Sequence, residues 1–218
     1  MKLELALDTF TPQSACALAE RLQDFIDIVE VGTPMLLNYG MAAVRDMKKA
    51  VPGLTLFADT KIIDGARIEA CAAFDAGADI ISVVACAQDQ TIADAVSEAS
   101  RRGKKVLVDF IAVKDLAARA AEISGLGADI FCVHMGVDVQ KMGQSHLPSE
   151  ILQIKQAVNG PEIAVAGGIS IHNLYAILEN GPDIVIVGGG ITGQLDPAAS
   201  AGQIRAVLDR TMDRGNNR

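Results

Sequence analysis

Short apolar segments alternate with amphipathic segments along the whole chain. The apolar segments are about five residues long and rich in Val, Ile and Leu, which is typical of strands buried on both faces. Between them, apolar residues recur at helical spacing. The predicted strands are Leu3–Asp8, Ile28–Val31, Leu54–Lys61, Asp79–Val84, Lys105–Asp109, Asp129–His134, Glu162–Ala166 and Asp183–Val187.

The ends of the amphipathic segments support their interpretation as helices. Thr11-Pro12 is a typical helix start, with Thr as N-cap and Pro at the first helical position. Three segments close on a glycine shortly before a new strand, at Gly77, Gly127 and Gly181. The predicted helices are one from Thr11, then Pro34–Ala50, Ala66–Ala76, Thr91–Arg101, Asp115–Leu126, Ser149–Val158, Ser170–Glu179 and Pro197–Met212, with a loop at Met135–Ser145.

Eight strand–helix units in series favour a closed (β/α)8 TIM barrel, an α/β fold. We expect one domain over residues 1–218, because the chain has no room for a long inserted domain. An open flavodoxin-like sheet is the alternative.

Composition narrows the function classes. The net charge of −8 and the pI near 4.8 argue against nucleic acid as a partner. No apolar run approaches the roughly 20 residues of a membrane span, and the N-terminus has no signal-peptide pattern. The four cysteines form no CxxC pair, so we expect free thiols in a reducing cytoplasm and no cysteine-based metal site.

The stretch from Leu56 to Asp64 carries the strongest chemical signal. Asp59 and Lys61 are two positions apart on a predicted strand, so their side chains point the same way, roughly 7 Å apart. Asp64 follows in the turn to the next helix. An ammonium between carboxylates stabilises developing negative charge, and the carboxylates can hold a cation. A purely structural ion pair is the alternative.

Ionisable residues end several of the predicted strands, whereas the strand centres are apolar. In a barrel these ends meet at the carboxyl-terminal rim, where the active site is built. Asp8 and Asp109 each have a structural alternative, as a hydrogen-bond acceptor that faces a loop. The candidate residues at this rim are Asp8, Glu30, Asp59, Lys61, Asp109 and His134.

Two glycine-rich loops add an anion site to this rim. Gly167-Gly168 follows the seventh strand, and Gly188-Gly189 follows the eighth. Glycine lets backbone N–H groups approach an anion closely, and the loops after strands seven and eight are the usual phosphate site of a barrel.

These motifs resemble the orotidine 5′-monophosphate decarboxylase superfamily, and within it the 3-hexulose-6-phosphate synthase family. The resemblance covers essentially the whole chain. It is carried by Leu5–Asp8, Val29–Pro34, Ala58–Asp64, His134–Asp138 and Val165–Ile169.

The resemblance implies a reversible, Mg²⁺-dependent aldol reaction of ribulose 5-phosphate with formaldehyde to give arabino-3-hexulose 6-phosphate. It implies that Glu30 and Asp59 hold the metal and that His134 moves the C1 proton to give an enediolate. Lys61 and Mg²⁺ would stabilise that enediolate, and Asp8 and Asp109 would contact substrate.

Two alternatives stay open. One is the related 3-keto-L-gulonate-6-phosphate decarboxylase, which tends to carry Arg where this chain has Val137 and Gly189-Gly190. The second alternative is a phosphosugar-binding barrel protein that has no catalytic activity. Within the synthase interpretation, Met135 is a departure, because the synthases commonly have Thr at that position.

The resemblance also implies an assembly. Asp64 lies beyond the strand end, and in the resembling family this helix start packs at a two-fold interface. We therefore expect a homodimer with shared sites, in which Asp64 of one chain approaches Lys61 of the other.

Overall fold

Eight parallel strands close into a barrel, each paired with its neighbours in chain order. A computed structural model describes residues 1–141 and 146–215, with side chains described as far as residue 211. The strands are β1 (Lys2–Leu7), β2 (Ile28–Val31), β3 (Thr55–Ile62), β4 (Ile80–Val84), β5 (Lys105–Asp109), β6 (Ile130–His134), β7 (Glu162–Ala166) and β8 (Ile184–Val187). The predicted (β/α)8 barrel is confirmed. The open-sheet alternative is wrong because β1 pairs with β8, with Leu5 opposite Val187.

Helices surround the barrel and connect successive strands. Their bounds are α1 (Pro12–Leu22), α2 (Thr33–Tyr39), α3 (Met41–Ala50), α4 (Ala66–Asp75), α5 (Asp89–Arg101), α6 (Leu116–Ile123), α7 (Val137–Gln140), α8 (Leu147–Ala157), α9 (Leu174–Leu178), α10 (Gly189–Thr192) and α11 (Pro197–Gly215). The N-cap prediction for α1 is confirmed, because the Thr11 side chain accepts a hydrogen bond from the Ser14 amide.

Four segments of the structure differ from their predicted form because of local backbone geometry. The predicted helix Pro34–Ala50 is two helices, because Gly40 adopts a φ of +61° between them. The predicted helix that starts at Ser170 begins only at Leu174, because the Ser170 amide donates to the Asn173 side chain. The predicted helix through Leu126 finishes as a 3-10 turn, and the predicted loop after β6 contains α7. Positions 142–145 of that loop lie outside the described residues.

The core has two parts. The larger part fills the space between the strands and the helices, where fully buried side chains such as Leu5, Ile81 and Phe131 pack. A smaller apolar cluster, which includes Phe57, Leu107 and Ile186, lies apart from it. Within residues 1–141 and 146–215, no helix has the length and apolar character that crossing a bilayer requires.

One device ties the strands together four times around the barrel. The residue before each even-numbered strand is an aspartate, and its carboxylate accepts the amide of the second residue of the preceding odd-numbered strand at 2.8–2.9 Å. The aspartate amide donates back to the carbonyl of the same residue. The four pairs are Asp27 with Leu3, Asp79 with Leu56, Asp129 with Val106, and Asp183 with Ile163. Each aspartate thus clamps two neighbouring strands at the amino-terminal rim.

We expect Asp129→Ala to lower the free energy of unfolding by about 1–3 kcal/mol, because the partly buried Val106 amide loses its charged acceptor. The measurement is urea unfolding of the full chain. Asp138→Ala is the matched control, since the Asp138 side chain is 95% exposed in its pair with Lys141 and its loss should change stability by less than about 0.5 kcal/mol. Equal stability of the two variants would contradict the role of the clamp.

Candidate active site

The polar strand ends meet in one cavity of about 820 Å³ at the carboxyl-terminal rim of the barrel. All of the predicted site residues except Asp64 line this cavity. They are Asp8, Glu30, Asp59, Lys61, Asp109, His134, Gly167, Gly168, Gly188 and Gly189.

Lys61 lies between two carboxylates from different strands. Its Nζ donates to Asp59 Oδ2 at 2.7 Å and to Asp109 Oδ2 at 2.9 Å. Burial disfavours the ammonium, but the two carboxylates outweigh it and raise the pKa of Lys61 above its usual value. The two carboxylates therefore favour the charged ammonium form of Lys61.

His134 ends β6 and faces the same carboxylate. Its Nδ1 lies 2.9 Å from Asp109 Oδ2. Burial opposes ionisation of Asp109, yet the hydrogen bond from His134 and the charge of Lys61 lower the pKa of Asp109 to about 2. Because an ionised carboxylate only accepts hydrogen bonds, Nδ1 is the donor. The lone pair of neutral His134 is then on Nε2.

Further acidic side chains interact with Asp59. Burial raises the pKa of Glu30 well above its usual value, and the charges of Asp59, Glu4 and Asp8 raise it further. Burial, followed by the charge of Asp59, raises the pKa of Asp8 as well. The Lys61 ammonium offsets part of this repulsion, and a divalent cation held by Glu30 and Asp59 would offset more of it.

Coordination by the protein alone is incomplete. Among the described residues, no three His, Cys, Asp or Glu side chains are placed to hold one metal ion. Mg²⁺ binds through one or two carboxylates and keeps water or substrate oxygens as its other ligands, so the pair Glu30 and Asp59 fits it.

Three residues of the site were missed by the sequence analysis. Glu4 is buried in β1, and burial raises its pKa to about 8 while a contact with Glu30 opposes this in part. Thr33 Oγ1 lies 2.8 Å from Asp59 Oδ2, and Ser82 Oγ donates to Asp59 Oδ1 at 2.7 Å. Glu4 is a charged residue within an otherwise mainly apolar strand, and this feature of the sequence could have identified it as a site residue. The two hydroxyl residues carried no signal of their own.

The two glycine loops pack against each other and against β6. A Cβ on Gly167, where φ is +105°, would lie 2.2 Å from the carbonyl oxygen of Met135. A Cβ on Gly190 would lie 2.2 Å from that of Ile169. Asn173 closes the first loop, because its side chain donates to the Gly168 carbonyl. Only glycine permits these approaches, which bring both loops to the cavity wall.

Asp64 is exposed in the turn between β3 and α4 and does not line the cavity. Large apolar side chains are exposed on the elements around it: Leu37, Tyr39, Ile63 and Ile68.

The family model described as "Orotidine 5'-phosphate decarboxylase / HUMPS family" matches residues 1–204. The chain belongs to this family. The family resemblance found in the sequence is thus confirmed.

Several named relatives of this chain are 3-hexulose-6-phosphate synthases. A 3-hexulose-6-phosphate synthase of Bacillus subtilis (strain 168) is 43% identical over 208 residues, which cover 95% of this chain and 99% of that protein. The crystal structure of 3-hexulose-6-phosphate synthase from Salmonella typhimurium superposes with a TM-score of 0.94 at 39% identity, covering 97% of this chain and 100% of that one.

A decarboxylase of the family is more distant. The structure of 3-keto-L-gulonate-6-phosphate decarboxylase from Vibrio cholerae O1 biovar El Tor str. N16961 has a TM-score of 0.84 at 26% identity, covering 96% of this chain and 98% of that one.

Proposed function

We propose that this protein is an aldehyde-lyase that joins ribulose 5-phosphate to formaldehyde, reversibly, to give arabino-3-hexulose 6-phosphate. The observation that carries the proposal is the chain of contacts in which Lys61 joins Asp59 to Asp109 and Asp109 joins His134. Glu30 lines the same cavity. The named synthases at about 40% identity support the choice of reaction within the family.

His134 and Lys61 have complementary roles in this proposal. His134 Nε2 takes the C1 proton of ribulose 5-phosphate, and Asp109 stabilises the imidazolium that forms. The electron pair left on C1 is delocalised as an enediolate, and the Lys61 ammonium stabilises its negative oxygen. C1 then forms a bond to the formaldehyde carbon as the C=O π bond of formaldehyde breaks. The formaldehyde oxygen takes the proton back from the His134 imidazolium, which restores the neutral base. Glu30 and Asp59 would hold Mg²⁺, which when bound would supply further positive charge to stabilise the enediolate.

The assay that tests this proposal mixes purified protein, Mg²⁺, ribulose 5-phosphate and formaldehyde, with EDTA as control. We expect consumption of ribulose 5-phosphate only when formaldehyde is present. The decarboxylase alternative predicts release of CO₂ from 3-keto-L-gulonate 6-phosphate instead. Val137 and Gly189, at the cavity wall, offer no guanidinium where the decarboxylases tend to carry Arg. CO₂ release as the faster reaction would overturn the proposal.

The metal proposal makes a prediction of its own. We expect Glu30→Gln and Asp59→Asn each to weaken Mg²⁺ binding by at least about tenfold, because each removes one of two charged ligands. Titration calorimetry measures the affinity, and circular dichroism checks the fold. Glu122→Gln, on the exposed side of α6, is the matched control. Full activity after exhaustive chelation would exclude the metal role.

We place the substrate phosphate at the glycine loops. The amides of Gly189 and Gly190 lie in the first turn of α10, where N–H groups have no intrahelical acceptor. No atom lies within 4 Å of a Cβ added to Gly189, so Gly189→Ala should fold normally.

We expect Gly189→Ala to raise the KM for ribulose 5-phosphate by about 5–30-fold, because a methyl group at the anion weakens a hydrogen bond to charge. Steady-state kinetics measure it. Gly125→Ala is the control, since its Cβ is equally free and lies on the 3-10 turn after α6. An unchanged KM would mean that the substrate phosphate binds at another place.

We further propose that this one barrel domain functions as a homodimer in the cytoplasm, with small phosphosugars and formaldehyde as its partners and without nucleic acid or membrane. The exposed apolar side chains on α2, on α4 and in the turn that holds Asp64 support a protein interface on these elements, since exposed apolar surface marks an interaction site where it is contiguous. Lys61 already binds two carboxylates of its own chain, so Asp64 of the partner would be a third.

A further inference from the structure

We propose that Ser82, in the centre of β4, is the positioning residue that fixes Asp59 and Lys61 in their reactive geometry. The inference rests on the proposed function, because it concerns the same site. Ser82 is fully buried and does not line the cavity, so it acts through the residues that it holds.

The end of β3 does not follow the regular ladder with β4. Ala58 pairs with Ile81 and Ile62 pairs with Val83, so three residues of β3 lie opposite the single residue Ser82. A bulge of this kind re-aims side chains at an active site. Lys61 has a φ of +45° within it, a left-handed conformation that is costly for a residue with a side chain. The surrounding contacts must therefore hold it there.

Ser82 contacts all three residues of the bulge. Its Oγ donates to Asp59 Oδ1 at 2.7 Å and accepts from the Lys61 amide at 2.8 Å. Its carbonyl oxygen accepts from Thr60 Oγ1 at 2.8 Å, and its amide donates to the same hydroxyl at 3.3 Å. One hydroxyl thus satisfies both the carboxylate that faces the metal position and the backbone of the catalytic ammonium.

This double contact makes the hydroxyl group the decisive part of the side chain. Without it, the partly buried Lys61 amide loses its acceptor and Asp59 loses one of its two hydroxyl donors, leaving Thr33. Without this hydrogen bond, the Lys61 backbone lowers its free energy by leaving the left-handed conformation. The ammonium moves with it, away from the position between Asp59 and Asp109.

The experiment compares crystal structures and kinetics of the full-length wild type, Ser82→Thr, Ser82→Cys and Ser82→Ala. In Ser82→Ala we expect the contact of Lys61 Nζ with Asp59 to be lost and kcat to fall about 10–100-fold, because a displacement of about 1 Å has that effect. KM for ribulose 5-phosphate should change less than about threefold, since the glycine loops on β7 and β8 are untouched. Ser82→Thr keeps a hydroxyl and should keep the contact and kcat.

The decisive readout is that kcat follows the Lys61–Asp59 contact across the series. If Ser82→Ala does not fold, Ser82→Cys replaces it in the comparison. Ser124→Ala removes an exposed hydroxyl that donates to the Ala121 carbonyl and should change neither quantity. A variant that loses the contact but keeps wild-type kcat would overturn the inference, as would an alanine variant in which the contact persists. If the wild type itself does not act on ribulose 5-phosphate, the proposed function fails, and the crystal structures alone decide the role of Ser82.

Discussion

Replacement of His134 by asparagine should slow exchange of the C1 proton of ribulose 5-phosphate with solvent deuterium by about 10²–10⁴-fold, the usual contribution of a general base. The expectation follows from the contact of His134 Nδ1 with Asp109, which leaves Nε2 as the proton acceptor. Asparagine keeps a polar group of similar reach but has no basic nitrogen. Proton NMR in D₂O, without formaldehyde, measures the exchange separately from carbon–carbon bond formation.

The control for this prediction is His146→Asn, at the start of α8 and outside the central cavity, which should leave the exchange unchanged. Unchanged exchange in His134→Asn would assign the base to another residue, with Asp109 or Asp64 as the next candidates.

Mixing two inactive variants should restore activity if the sites are shared between chains. Lys61→Ala and Asp64→Asn each damage both sites of their own dimer. In a mixed dimer with shared sites, one site carries both substitutions and the other carries neither. A 1:1 mixture that exchanges subunits freely should therefore recover about a quarter of wild-type activity, since half of the dimers are mixed and one of their two sites is intact.

Subunit exchange must be shown independently, by mass spectrometry of differently tagged chains. A mixture that contains mixed dimers but remains inactive would mean that each site is built within one chain. The Lys61→Ala variant mixed with wild type is the control, because it should show only dilution of the wild-type sites.

The sequence predicted the barrel because short apolar strands and amphipathic helices alternate eight times, with three of the helices ending on a glycine, and these are local properties. It also predicted which strand ends face one cavity, because the rule for parallel strands requires no distances. The split of the predicted helix at Gly40 was missed, since the same residues fit one amphipathic helix.

The missed site residues have a different cause. The regular strand used to align Asp59 with Lys61 is in fact a bulge, with Lys61 in a left-handed conformation. The partner that holds the bulge, Ser82, is on another strand, so no local pattern of β3 contains it. The aspartates that follow the helix-ending glycines, such as Asp129, form a repeat that is visible in the sequence. Their contacts with the preceding strand could not be predicted, because these contacts depend on the closed barrel.

The central claim is that this cavity forms a carbon–carbon bond between a ketose phosphate and formaldehyde. Its most direct test incubates the protein with Mg²⁺, ribulose 5-phosphate and ¹³C-labelled formaldehyde and follows the label by NMR. We expect the label to appear in a new hydroxymethyl carbon bonded to the former C1 of ribulose 5-phosphate, and Lys61→Ala to abolish this product. Label that stays in free formaldehyde while the wild-type protein is folded and supplied with Mg²⁺ would contradict it.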